Sequence, residues 1–141
     1  MVQTQYKLNG HVVVCGYGVV GQKIVEVLEE HGVDFVIVEI APQVVERVEE
    51  LDYKIVIGDA TTSRSLRMAS ITTAKAVAIV MDNDAKNLFA VLTARDLNKD
   101  LFIATRANDP LVREKMVEAG AYYIAMPQKS ASYEILGELT R

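Results

Sequence analysis

Three glycines, Gly16, Gly18 and Gly21, fall in the spacing G-x-G-x-x-G. Each suits a separate part of phosphate recognition. Gly16 permits a sharp turn as the chain leaves a strand. Gly18 has no side chain, so a phosphate can come close to the main chain, and Gly21 lets the following helix pack tightly on that strand. Val19 and Val20 start this helix, whose first turn points unpaired N–H groups and the positive end of its dipole at an anion. Tyr17 completes the loop. Glu39 stands eighteen positions beyond Gly21, at the end of the next strand-like run. A carboxylate there can accept hydrogen bonds from a ribose diol, and it repels an added 2′-phosphate. Together these residues predict a nucleotide site. The bland alternative is a doubly wound domain that keeps the turn for packing and binds nothing.

The remaining candidates follow from where such a sheet delivers its strand ends. The second strand brings Ile40 beside Glu39, the third brings Asp59 and Ala60, the fourth Met81, Asp82 and Asn83, and the fifth Arg106. Asp59 falls where an adenine would lie, and a carboxylate can accept from its exocyclic amine. Helix capping explains Asp59 equally well, and a surface carboxylate before a turn is the plain alternative for Glu39. Ala60 offers backbone contacts. Arg106 either balances phosphate charge or pairs with Asp82 or Asp109. No catalytic residue is expected. His11 stands at a strand start and His31 at a helix end, away from the crevice, so neither suits a general acid or base. No Ser-His-Asp or Cys-His set converges, and no cluster has metal-ligand spacing. The single cysteine, Cys15, lies in the first strand. It reads as a buried, inert thiol, excludes an internal disulfide and suits a reducing, cytosolic space.

The elements that must position these residues follow from hydrophobic period and punctuation. Strands are expected over His11–Cys15, Asp34–Glu39, Lys54–Ile57, Ala76–Met81, Leu101–Thr105 and Tyr122–Met126. Helices are expected over Val19–His31, from Pro42 to Leu51, Thr61–Ala69, Ala85–Leu97, from Pro110 to Gly120 and Ser130–Arg141. Residues 1–9 read as a linker or disordered lead-in, residues 10–129 as one lobe, and residues 130–141 as a closing helix. Strict alternation predicts an α/β, Rossmann-like fold. Its six-stranded parallel sheet takes the order 3-2-1-4-5-6, with helices on both faces and the ligand crevice between strands one and four. In the fourth helix Leu88, Val91 and Leu92 are expected to face the sheet. Phe89, Ala90, Ala94 and Leu97 then continue an apolar surface wider than one sheet face needs. The closing helix adds Tyr133, Ile135, Leu136 and Leu139. Leftover apolar surface on two helices predicts a protein interface.

Composition narrows the class. At 141 residues, half of them hydrophobic and 24% charged, the chain suits one globular domain. A net charge of −4, with no basic stripe, argues against nucleic acid. No apolar run approaches the ~20 residues of a membrane span, so direct membrane insertion is not expected. The polar start from Met1 to Asn9 does not read as a secretory leader.

Read together, Val12 to Gly21, Glu39, Gly58-Asp59-Ala60-Thr61, Asp82-Asn83-Asp84-Ala85-Lys86-Asn87 and Glu118-Ala119-Gly120-Ala121 closely resemble the nucleotide-binding lobe of RCK (KTN, TrkA-N) domains. The resemblance covers about residues 10–141. It implies a cytosolic regulatory domain of a potassium channel or potassium uptake system, at the inner face of the membrane. It implies a homodimer, and an octameric ring in some assemblies, through which ligand binding opens or closes a pore. In that dimer the fourth and fifth helices pack across a two-fold axis and the closing helix crosses to the neighbour. ATP-binding members often carry an arginine where Val19-Val20 stands, so NAD(H) is expected ahead of ATP, ADP or AMP. Calcium-gated members carry carboxylates where this chain has Ile79-Val80-Met81 and Ala104-Thr105-Arg106-Ala107, so no calcium site is expected. The family's regulatory C-terminal lobe has no counterpart here, which implies a trimmed or stand-alone lobe. The second reading, from a different class, is the cofactor half of a small NAD-dependent oxidoreductase.

Overall fold

The computed structural model describes residues 5–141. Strands and helices alternate as β1 (Val12–Cys15), α1 (Val19–Glu30), β2 (Phe35–Glu39), α2 (Pro42–Glu50), β3 (Ile55–Ile57) and α3 (Ser63–Met68), then β4 (Ala76–Ile79), α4 (Asp84–Leu97), β5 (Phe102–Arg106), α5 (Pro110–Ala119), β6 (Tyr123–Ala125) and α6 (Pro127–Leu139). One 3-10 turn, Ile71–Thr73, lies before β4 and has no signal in the hydrophobic pattern. The sheet has the order β3-β2-β1-β4-β5-β6 with every pair parallel, as the alternation predicts. β1 is central. Val12 pairs with Phe35 on one side and Ala76 on the other. All four of its residues are buried, which is why the run is continuously apolar.

The two-residue period of β1 divides the core. Val12 and Val14 join Tyr17, Val25, Ile37, Val45 and Val48 under α1 and α2. Val13 and Cys15 join Leu66, Ala90, Val91 and Ala94 under α3 and α4. Burial, with a smaller contribution from the Glu39 charge, pushes the Cys15 thiol up to about 12. It stays protonated and packs as a small hydrophobe.

Several element ends differ from the sequence pattern. β4 stops at Ile79 rather than Met81. The Val80 N–H still donates to the Cys15 carbonyl (2.9 Å), but the Met81 N–H turns to the Asn87 side chain (2.9 Å). α6 starts at Pro127 rather than Ser130, because a proline at the first helical position loses no bond. The phase of α4 is also different. Its buried stripe is Asn87, Ala90, Val91 and Ala94, while Leu92 is 47% exposed and Phe89 58%. Small residues let the helix lie close on the sheet, and Asn87 fixes its rotation. Residues 1–4 of the expected lead-in lie outside the described residues. In the described part, the Tyr6 N–H donates to Met68 O (3.1 Å) and the Ile55 N–H donates to the Tyr6 hydroxyl (3.2 Å). Ser70 donates to the Tyr6 carbonyl, and Tyr6 and Leu8 pack on the core.

Candidate functional site

The crevice opens where the loops after β1 and β4 part in opposite directions. Gly16 turns the chain out of β1 with φ +101°, and a Cβ there would press on Met81 Cα at 3.2 Å. A Cβ at Gly21 would collide with the Gly16 carbonyl oxygen, so only glycine lets α1 pack this close to the loop. A Cβ at Gly18 would meet nothing within 4 Å. The spacing therefore resolves into a turn glycine, an open glycine and a packing glycine. Gly18 is also the N-cap of α1 and gives no side-chain cap, which leaves the first-turn N–H groups directed at the crevice.

Glu39 reaches across this loop. Its Oε2 accepts from the Tyr17 N–H (2.9 Å), and its Oε1 accepts from the Ile40 (2.8 Å) and Ala41 (3.2 Å) N–H groups. The carboxylate thereby ties the glycine loop to the β2–α2 turn. A cavity of about 540 Å³ opens beside it. Gly16, Tyr17, Gly18, Val19 and Val20 form one wall, and Glu39 and Ile40 close one end. Met81, Asp82 and Asn83, in the loop after β4, and Arg106, at the end of β5, face them. Asp59 and Ala60 line a smaller recess of about 160 Å³, which shares Gly16, Glu39, Ile40, Met81 and Lys86 with the larger cavity. Gly21 lies behind the loop and supports it without lining the space.

Asp59 Oδ1 accepts from both the N–H (2.9 Å) and the hydroxyl (2.7 Å) of Thr61. These two bonds hold its carboxyl below the usual carboxylate range, and the Lys86 charge adds to the effect. The N-cap of α3 is Thr62, not Asp59. Arg106 is half-buried and makes no ion pair with Asp82, Asp109 or any other carboxylate among the described residues. Asp109 instead caps α5 by accepting from the Leu111 N–H (2.9 Å).

Four lining residues are not among the site candidates that the sequence offers: Ala41, Val44, Val80 and Lys86. Lys86 was visible in principle, because the first turn of a helix that follows a strand's C-terminal end faces the crevice. Asn87 also acts from behind. It is 1% exposed, its Oδ1 accepts from Met81 N–H, and its Nδ2 donates to the carbonyls of Met81 (2.9 Å) and Arg106 (3.3 Å). One amide thus holds the ends of β4 and β5 to α4. Asp84 Oδ2 braces the next loop by accepting from Asn108 (3.0 Å) and Asp109 (2.8 Å) N–H groups.

His11 lies at the opposite end of β1, fully buried, with Nε2 2.8 Å from the Ala69 carbonyl oxygen. His31 Nδ1 lies 2.8 Å from the Val27 carbonyl oxygen at the end of α1. Among the described residues no three His, Cys, Asp or Glu side chains gather as metal ligands, and no helix is long and apolar enough to cross a membrane.

This arrangement has relatives. The TrkA-N domain family model matches residues 12–127. Potassium channel protein 1 of Methanocaldococcus jannaschii is 34% identical over 131 residues, which is 92% of this chain and 39% of that protein. A Trk system potassium uptake protein TrkA homolog of Pyrococcus horikoshii is 32% identical over 101 residues, 71% of this chain and 44% of that protein. The chain thus spans well under half the length of these curated relatives. Among solved structures, the TrkA-N domain of inner membrane protein ybaL from Escherichia coli superposes with a TM-score of 0.90 at 25% identity, covering 96% of this chain and 100% of that one. The GsuK channel bound to NAD gives a TM-score of 0.78 at 22% identity over 87% of this chain and 22% of that one.

Proposed function

Because the chain belongs to the TrkA-N domain family, we propose that it is a cytosolic, ligand-sensing regulatory domain of a potassium channel or potassium uptake system. Its crevice takes NAD(H) or a related adenine nucleotide, and the conformational change passes to a membrane partner through dimer or ring assembly. The observation that carries this reading is the convergence of a glycine loop, Glu39 and Arg106, which makes no ion pair among the described residues, on one cavity of about 540 Å³. The open space at Gly18 fits a phosphate. The first turn of α1 supplies N–H donors and Arg106 the opposing charge. Among the described residues Glu39 Oε2 accepts a single hydrogen bond, which leaves it a lone pair for a ribose hydroxyl. We read the domain as a sensor and not an enzyme, since its histidines serve the fold at β1's start and α1's end.

Coupling follows from the same contacts. Glu39 ties the glycine loop to the β2–α2 turn at one end of the crevice, and Asn87 bonds the crevice floor to α4. A ligand seated between them biases the position of α4, which carries the exposed Phe89. The test is a titration with NADH, NADPH, ATP, ADP and AMP. The protein should prefer NADH to NADPH, because a 2′-phosphate would face the Glu39 carboxylate. Glu39→Ala should weaken NADH binding by about 1.5–3 kcal/mol, the scale for lost hydrogen bonds to a charged group. Equal affinity of the parent protein for NADH and NADPH would refute the ribose role.

Assembly is tested separately. Phe89 and Leu92 on α4, Leu111 and Val117 on α5, and Tyr133, Ile135, Leu136 and Leu139 on α6 are all at least 47% exposed. α6 has no buried residue at all. A two-fold interface repeats any substitution on both sides, so Phe89→Asp should split the dimer and leave the subunit folded. Light scattering should report twice 15.6 kDa for the parent and 15.6 kDa for the variant. A parent that scatters as 15.6 kDa at micromolar concentration overturns the interface.

A further inference from the structure

Lys86 brings to the crevice a formal positive charge that the glycine loop lacks. It lies in the first turn of α4, where its N–H donates to the Asn83 N-cap side chain (2.9 Å). Lys86 lines both the larger cavity and the Asp59 recess, whereas Arg106 lines only the larger one. Among the described residues Lys86 makes no ion pair. The surroundings are otherwise short of positive charge. Glu39, Asp59 and Asp82 are all carboxylates at this edge, and the loop offers Val19 and Val20, which supply N–H dipoles but no formal charge. A ligand with its base in the Asp59 recess and its phosphates at Gly18 must cross the junction of the two cavities, and Lys86 stands at that junction.

We propose that Lys86 is the residue that makes this crevice select phosphorylated adenosine: it reads the phosphate adjoining the ribose, the group common to AMP, ADP and NAD(H). This rests on the nucleotide reading above. Arg106, confined to the larger cavity, serves only what lies beyond that phosphate. A bare nucleoside offers Lys86 no anion, so its affinity does not depend on Lys86. An ammonium and a guanidinium both serve a single phosphate, so Lys86→Arg retains the selection.

The test is calorimetric titration of the parent, Lys86→Gln, Lys86→Arg and Arg106→Gln with AMP, NADH and adenosine, together with unliganded melting curves. Lys86→Gln should lose about tenfold for AMP and for NADH, the factor expected from one charge-assisted hydrogen bond at an exposed site. It should leave adenosine binding and the melting curve unchanged. Lys86→Arg should bind AMP nearly as the parent does, and Arg106→Gln should weaken NADH more than AMP. The proposal falls if Lys86→Gln holds AMP as tightly as the parent, or if adenosine weakens as much as AMP. A parent that binds none of the three overturns the nucleotide reading itself, and this proposal with it.

Discussion

Gly18→Val should fold normally and bind no nucleotide, whereas Gly21→Val should be strongly destabilised. The two positions sit three residues apart, and their surroundings are opposite. Gly18 has φ −80°, which any residue adopts, and its Cβ would stand in open space. The cost to the free protein stays below about 1 kcal/mol, the scale of a changed N-cap. The isopropyl group then fills the space where a phosphate meets the loop. At Gly21 the added Cβ runs into the Gly16 carbonyl oxygen. Main chain cannot move aside as a side-chain end can, so the cost belongs at the upper end of overpacking, about 3 kcal/mol or more. Thermal melting should separate the pair by roughly 10 °C. A Gly18→Val protein that binds NADH like the parent would show that the ligand does not sit on this loop.

Asn87→Leu should destabilise the domain by about 3 kcal/mol, read as a lower urea midpoint at unchanged slope. Leucine has the branching and heavy-atom count of asparagine, though it is bulkier, and it cannot hydrogen-bond. It strands the Met81 N–H and the carbonyls of Met81 and Arg106, groups bonded by one side chain that is 1% exposed. Orphaned backbone groups cost about 1–3 kcal/mol each, reduced where water reaches them. The substitution should also weaken nucleotide binding, because Met81 packs under Gly16 and forms the floor of the crevice. An unfolding free energy within about 0.5 kcal/mol of the parent would mean that the three bonds contribute little and that α4 is held by packing alone.

Asn87 also shows where sequence reading stops. The strand order was legible, because continuous apolar runs alternating with helices leave few arrangements of parallel strands. The caps were legible too: Asp109 with Pro110, and Pro42, stand where their chemistry requires. The phase of α4 was not. Leu88 and Leu92 outrank Ala90 and Ala94 in hydrophobicity, and a reading by hydrophobicity turns the leucines inward. The structure turns the alanines inward because a buried amide sets the rotation and small side chains permit the close approach. Nor was Tyr6 legible. Its local sequence is polar, and its partners Met68 and Ile55 lie far along the chain. At the site, the glycine loop and Glu39 were legible from spacing. Lys86 was legible only as a first-turn residue of α4; its place where two cavities meet was not.

The docking of Tyr6 has a mechanical consequence. Its main chain is bonded to the C-terminal end of α3 and to Ser70, and its hydroxyl is bonded to the outer edge of β3. Tension applied to the chain at residue 5 is therefore shared between an edge strand and a six-residue helix, before it reaches β1. The other end of that helix begins at Thr62, whose hydroxyl donates to the Asp59 carbonyl (2.8 Å) at the rim of the recess. A load entering through Tyr6 is carried along α3 to the crevice wall, so the stiffness of this short helix sets how much of a pull is felt where Asp59 sits.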